Sequence, residues 1–276
     1  MKEIFDSADY AYAKVIEDIL DHGDYCKNER TSEGTYSLFD YNVKIDCSDV
    51  FPLISLKKVN VKGFINEFLW MVVHGSTDVT WLQDRGHKFW DSWVDSNNTI
   101  GKGYGKQYRD CHGVDQVQNV INSIKNDPSS RRHIIDLWTV NEIEEMTLPP
   151  CHSNHNQFYV RNGVLSLAVK ARSQDVLLGL PMNWAYYGLL LNVIAKLTDL
   201  KVGVLSVTAT DIHIYENHVD QCGRVLDRFA EAEGWTYSCP KLEITKDHKS
   251  IDDFDFESFN VEGYKPMSSI SGKVAV

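Results

Sequence analysis

The chain has 276 residues and a mass of 31.5 kDa, a length at which one α/β or α+β unit can still enclose a single core. Apolar residues make up 43% and aromatics 11%, with seven Trp, thirteen Tyr and only seven Pro, which excludes disordered, collagen-like and mucin-like chains. The net charge of −11 (28 Lys+Arg against 39 Asp+Glu) excludes general attraction to a nucleic-acid backbone or an anionic membrane, so any phosphate bound here must be met by a few local arginines.

The segment 10–20 opens the chain with a helical pattern. Over 39–47 the apolar residues fall on odd positions (Phe39, Tyr41, Val43, Ile45, Cys47), the period of a half-buried strand. A second helix is predicted over 61–73. Two strand-like runs, 157–160 and 164–171, flank Arg161-Asn162-Gly163, and Asn-Gly is a strong hairpin signal because both residues tolerate positive φ. A third helix, 181–197, has Pro181 in its first turn and is apolar nearly all round, so it should be buried. One more strand is expected over 205–215, with Val207, Ala209, Asp211, His213 and Tyr215 on one face. The acidic stretch 250–257 carries Phe254 and Phe256, which makes it an edge segment pinned by aromatics rather than a solvated tail. No repeat or linker divides these elements, and their irregular alternation indicates a single α+β domain over 1–276.

Six cysteines (Cys26, Cys47, Cys111, Cys151, Cys222, Cys239) lie scattered without C-x-x-C pairs, and the N-terminal stretch has no apolar signal core. Both features point to reduced thiols in a cytoplasm. The apolar run near 189–191 is broken by Asn192 and Lys196, well short of the ~18 residues that suggest a membrane span. Zinc is not indicated: Cys151, His152 and His155 are close in sequence but lack a second ligand pair. Gly101-Lys102-Gly103-Tyr104-Gly105-Lys106 lacks the spacing of a triphosphate loop.

Four features remain as chemistry. Cys151, after Leu148-Pro149-Pro150, is either a buried small hydrophobe or a nucleophile, and Arg172-Ser173 at the far end of the hairpin can return a guanidinium to it. Glu67 has Phe64, Trp70 and Met71 as helical neighbours and Gly63 at i−4; a carboxylate on that face is desolvated and suited to proton transfer, unless the helix turns it to solvent or to Lys62. Arg131-Arg132 at a turn-to-strand junction is a phosphate clamp or a solvated basic turn. Asn183 offers a donor and an acceptor to a ligand, or caps the buried helix.

Together these residues resemble the thymidylate synthase family over nearly the whole chain. The matching motifs are ERT (29–31), FWDSW (89–93), YGKQYR (104–109), SRR (130–132), LPPCH (148–152), QFYV (157–160), RSxDVxLGLPxN (172–183) and DIHIYENH (211–218). The resemblance implies a large twisted mixed sheet with flanking helices and a central buried helix. It also implies a homodimer, and transfer of one carbon from 5,10-methylenetetrahydrofolate to C5 of a pyrimidine deoxynucleotide monophosphate, without a metal. Position by position it implies Cys151 as the nucleophile that adds to C6, Glu67 as the proton relay and Tyr104 as the group removing the C5 proton. Arg172 then contacts both phosphate and sulfur, Arg30 and Ser173 complete the phosphate site, and Arg131 and Arg132 reach in from the partner subunit. Asn183 reads the pyrimidine edge in favour of uracil, while His213 and Tyr215 hold the sugar hydroxyl. Trp90, Asp175, Gly179 and the tail Lys273, Val274, Ala275, Val276 bind the folate.

Departures from the family pattern cluster around the nucleophile. Five residues, 152–156, precede Gln157 where four are usual, which implies a bulge, and they are polar where apolar residues are typical. Trp184-Ala185-Tyr186 replaces smaller side chains, and Ile100-Gly101-Lys102-Gly103 replaces a Gly-Pro turn. Phage nucleotide hydroxymethylases share the family's nucleophile and cofactor but finish with water instead of hydride, so hydroxymethylation of dUMP or dCMP is the alternative to reductive methylation of dUMP. An inactive nucleotide- or RNA-binding relative is disfavoured by the complete set of Cys151, Glu67, Arg172 and Asn183. A phage-encoded protein would work in its host's cytoplasm.

Overall fold

Asn162 and Gly163 take φ values of 51° and 74°, and the turn they make sets the register of the sheet's central hairpin. In the computed structural model, which describes residues 4–27, 33–231 and 239–274, this turn joins β4 (His155–Arg161) to β5 (Val164–Asp175) in an antiparallel pair. The remaining strands of the large sheet are β1 (Asp24–Lys27), β2 (Gly34–Asp46), β3 (Ile134–Asp136) and β6 (Lys201–Tyr215). Their order is β1-β2-β6-β5-β4-β3. Only β5 and β6 run parallel; a parallel pair needs a crossover, and helix α6 (Gly179–Leu197) supplies it. A separate two-stranded sheet pairs β7 (Lys241–Ile244) with β8 (Phe259–Glu262).

Helix α6 is buried on nearly every side, as its sequence requires, packing on β5 and β6 and against α2 (Val61–Phe68). Asn60 caps α2, its side chain accepting from the Gly63 N–H at 3.0 Å. The predicted 61–73 helix is one continuous run, but its second half, Leu69–Val73, loosens into a π turn. Helix α1 (Ala8–His22) covers β2, and the remaining helices are α3 (Thr80–Gln83), α4 (Gly105–Arg109), α5 (Gln116–Asn126) and α7 (Val219–Glu231).

Three expectations are corrected in detail. Strand β2 begins at Gly34, before any alternation is visible in the sequence, and Phe39 is 86% exposed although Val43 and Ile45 on the same parity are buried. Asp40, at φ 51°, kinks the strand there, so Phe39 lies beyond the layer that α1 covers. In β6 the alternation breaks at Asp211, which is exposed, because Ile212, His213 and Ile214 are all buried where both faces of the strand are covered. The acidic stretch is not an edge of the large sheet but two single 3-10 turns, Ile251–Asp253 and Phe256–Ser258. Phe254 between them stacks on His248 at 3.9 Å, and the Asp253 carboxylate accepts the N–H groups of Lys249 and Ser250. The acidic residues there are partly spent on capping, and aromatic stacking pins the segment as expected.

Candidate active site

Pro149 and Pro150 have no N–H to give, so the turn before the nucleophile presents carbonyl oxygens. The Arg172 guanidinium takes both: Nη2 donates to Pro149 O and Nε to Pro150 O, each at 2.9 Å. Cys151 follows, half-buried, its carbonyl accepting from the Ser173 N–H at 3.1 Å and its own N–H donating to Tyr104 Oη at 3.0 Å. The same phenol oxygen lies 3.4 Å from Cys151 Sγ. Because Oη already accepts the backbone N–H, its proton is free to point at the sulfur. Burial, then the neighbouring Cys151, push the Tyr104 pKa well above its ordinary value, which keeps the phenol a donor near neutrality. Tyr104 occupies a strained backbone conformation, φ 27° and ψ −85°. Beside it Gly105 is required, since a Cβ would stand 2.1 Å from Ser76 O.

The Tyr104 ring packs edge-on against Trp90, centroids 5.4 Å apart, and Trp90 Nε1–H donates to Glu67 Oε1 at 2.7 Å. Glu67 is 5% exposed; the helix is rotated so that its carboxyl faces inward, not toward Lys62. Burial pushes its pKa up to about 7, with the Trp90 hydrogen bond acting in the opposite, smaller sense. Cys151, Tyr104, Trp90 and Glu67 thus form a continuous line of contacts from a half-buried thiol to a carboxyl poised near neutrality. On the other side of Tyr104 lies His152, fully enclosed by the rings of Tyr104, Tyr186 and Tyr187, and burial pulls its pKa down to about 4.

A second group assembles along β5, α6 and β6. Asn183 does not cap α6; it is buried within the first turns, and its Nδ2 faces Gln174 Oε1 at 3.3 Å. That contact orients the amide with one N–H and the carbonyl oxygen left for a ligand. Gly179 keeps open the space between Gln174, Asp175 and Asn183, where a Cβ would sit 3.3 Å from Gln174 Nε2. Asp175 pairs in register with His213, and its Oδ1 accepts from the Leu177 N–H at 2.9 Å. The His213 Nδ1 lies 3.1 Å from Asp211 Oδ1, while its Nε2 is buried without a partner. Tyr215 packs edge-on against His213 at 4.9 Å. At the tail, His218 Nε2–H donates to Lys273 O at 2.9 Å, and Val274 is exposed.

Arg131 and Arg132 are exposed and stand at the end of β3 remote from Cys151, where Arg131 O accepts from Gln157. One chain does not bring them to the nucleophile. Arg30, Ala275 and Val276 lie outside the described residues. Sequence reasoning missed the polar cluster behind the nucleophile: Tyr108 Oη meets Ser153 Oγ at 2.8 Å, Ser153 Oγ donates to Asn156 Oδ1 at 2.6 Å, and Tyr186 borders Tyr108. Its only signal was the polar character of 153–156 and the unusual Tyr186. Gln174 and His218 were missed as well, though each sits inside a quoted motif.

Among the described residues no group of three or more His, Cys, Asp or Glu side chains is placed to hold a metal, and no helix is long and apolar enough to cross a membrane. With this geometry in view, comparison with family models gives a match to the model described as thymidylate synthase over residues 10–276.

Proposed function

The chain belongs to the thymidylate synthase family, and from that premise we propose that it reductively methylates dUMP to dTMP through a covalent adduct on Cys151. Membership makes the protein a one-carbon transferase that takes 5,10-methylenetetrahydrofolate as co-substrate. The observation that carries the covalent reading is the unbroken line Cys151, Tyr104, Trp90, Glu67, which joins a thiol to a carboxyl half-protonated near neutrality, and Trp90 within it resembles the tryptophan of the methylating members of the family.

In this reading the Cys151 thiolate bonds to C6 of the pyrimidine, and the electron pair of the C5–C6 bond moves toward C5 and O4. Tyr104 Oη, 3.4 Å from the sulfur, is placed to hydrogen-bond it before attack. Glu67 passes a proton toward O4 and recovers it, a task suited to a pKa of about 7. C5 then takes the one-carbon unit and gives up its proton by way of the Tyr104 oxygen, a role the resemblance implies; as a phenol Tyr104 passes that proton on to water while releasing its own. The folate nitrogen leaves, hydride adds to the exocyclic carbon, and the electron pair this returns to the ring expels the thiolate from C6. Asn183, with its amide oriented by Gln174, accepts from uracil N3–H and donates to O4, the reverse of what cytosine presents. His213 Nε2 is buried without a hydrogen-bond partner within the chain, and a sugar hydroxyl, which both donates and accepts, supplies one. Arg172, Ser173 and Arg30 take the phosphate. Arg131 and Arg132, remote from their own Cys151, join the phosphate of a partner subunit in a homodimer.

Folate, when bound, supplies the one-carbon unit and, for methylation, the hydride. The residues present suit it: Gly179 leaves a cradle that a Cβ would narrow, and Asp175 offers a carboxylate beside it. Trp90 and the tail from Lys273 take part in its binding, as the resemblance implies.

Hydroxymethylation is the second reading, favoured by one observation. The residues packed behind Cys151 are polar: the His152 ring lies among those of Tyr104, Tyr186 and Tyr187, and Tyr108 Oη meets Ser153 Oγ at 2.8 Å, a setting suited to holding a reacting water. One assay separates the readings: purified protein with dUMP and methylenetetrahydrofolate, following product mass and folate oxidation. Thymidylate with dihydrofolate is expected; hydroxymethyl-dUMP with tetrahydrofolate overturns methylation. Faster turnover of dCMP would overturn the Asn183 argument.

A further inference from the structure

The residues between Cys151 and Gln157 include one more than the family pattern, and the bulge that accommodates it is visible in the ladder. Strands β4 and β5 pair His155 with Lys170 and Asn156 with Val169. Beyond the bulge the next backbone bond, Ser173 N–H to Cys151 O at 3.1 Å, is one residue out of step. Ser153 absorbs the extra length at φ 56°. Asn154 closes the gap with its side chain: Oδ1 accepts the Arg172 N–H at 2.8 Å and Nδ2 donates to Pro150 O at 2.6 Å. Its own carbonyl accepts the Leu137 N–H at 2.8 Å, which extends the contact with β3. The amide is buried, so its bonds are shielded from water and held to one geometry.

We infer that Asn154 is a positioning residue for the reaction, locking the turn that carries Cys151 to the strand that carries Arg172. No other side chain among the described residues bonds both Pro150 O and the Arg172 backbone. Pro150 O also accepts Arg172 Nε, so one carbonyl is shared by the guanidinium and the Asn154 amide. Losing the amide would leave the Arg172 N–H without its acceptor and the Pro150 carbonyl held by Arg172 Nε alone, which loosens the relative placement of sulfur and guanidinium. Misplacement by about an ångström at a reacting centre costs on the order of a hundred-fold in rate.

The two ends of the amide do separable work, and the test uses that. Asn154→Ala removes both bonds; Asn154→Asp keeps an acceptor for the Arg172 N–H but cannot donate to Pro150. Measured on the full chain, Asn154→Ala is expected to lower kcat roughly ten- to a hundred-fold and to raise the dUMP KM several-fold. Asn154→Asp is expected to recover most of the KM while kcat stays low, and alkylation of Cys151 by iodoacetamide, read by peptide mass, should lose its protection by dUMP only in the Ala variant. Kinetics like those of the unaltered protein in both variants would overturn the inference, as would kcat and KM losses that merely track the folded fraction. Should Asn154→Ala fail to fold, the KM-against-kcat split in Asn154→Asp decides alone. The inference rests on Cys151 as nucleophile and Arg172 as phosphate ligand, so Cys151→Ala runs alongside. Turnover retained by Cys151→Ala refutes that underlying reading, whereas an inactive Cys151→Ala beside normal Asn154 variants refutes only the role of Asn154.

Discussion

Glu67→Gln should stabilise the protein at alkaline pH while impairing it as a catalyst. The Glu67 carboxyl is buried and its pKa is pushed from 4.5 up to about 7 by desolvation, so the folded state holds its proton more tightly than the unfolded chain does. The stability this contributes is full below pH 4.5 and is lost as pH rises through 7. Moving the pKa from 4.5 to about 7 corresponds to about 3 kcal/mol. Gln keeps the shape and still accepts the Trp90 N–H, but carries no charge to desolvate. Relative to the unaltered protein, Glu67→Gln should therefore gain about 2 to 3 kcal/mol between pH 5 and pH 9. The assay is urea denaturation at both pH values and one fixed protein concentration, because association would otherwise move the midpoint. Other titrating groups, His152 included, are common to both proteins and cancel in the difference. A stability difference that is flat with pH would refute the desolvation argument, and full turnover in Glu67→Gln would refute the relay. The expected loss in kcat is about 10²- to 10⁴-fold.

His152 predicts the opposite slope. Its pKa, pulled down to about 4 by burial, gives stability that is present above pH 6.5 and lost as pH falls toward 4, about 3 kcal/mol in all; His152→Phe should flatten that acid limb in the same urea series. Gly101 has φ 65°, and a Cβ would stand 2.0 Å from Glu145 O, so Gly101→Ala should cost about 2 kcal/mol or more, read as a lower thermal midpoint. Mixing inactive Arg131→Ala with inactive Cys151→Ala subunits should restore part of the activity through one intact hybrid site. Failure of any activity to return would count against a phosphate clamp shared between subunits.

Local pattern made much of this architecture legible. The Asn162-Gly163 turn and the all-round apolar character of α6 follow from short-range chemistry, and both are as the sequence implies. Glu67 was evenly poised between core and solvent, because helical neighbours cannot say which way a helix is rotated. The deciding contact comes from Trp90, 23 residues on. The burial of His152 depended on tyrosines from α6 and from the 101–105 turn, which no window around Cys151 contains. Phe39 and Asp211 fooled the two-residue period for a related reason: alternation reports which residues share a face, not where the covering layer stops. Asn154 was visible as an insertion, but only the out-of-step ladder shows that its side chain replaces a backbone partner.

The parallel pairing of β5 with β6 through α6 has an architectural consequence for how the chemistry can change. In the proposed reading the nucleophile Cys151, the phosphate ligands Arg172 and Ser173, the pyrimidine reader Asn183 and the sugar contacts His213 and Tyr215 come from the uninterrupted stretch 151–215, joined by Arg30 and by Arg131 and Arg132 of a second copy, whereas Glu67, Trp90 and Tyr104 come from 67–104. Recognition and bond formation are thereby gathered in one stretch of the chain and proton traffic in another, and the two meet where Tyr104 touches Cys151 and His152 and where Phe68 packs on Tyr186. The residues of 152–156 and of α6 that enclose Cys151 lie in the same stretch as the groups proposed to read the nucleotide, so a substitution there that alters how the reaction ends is free to alter what is bound as well.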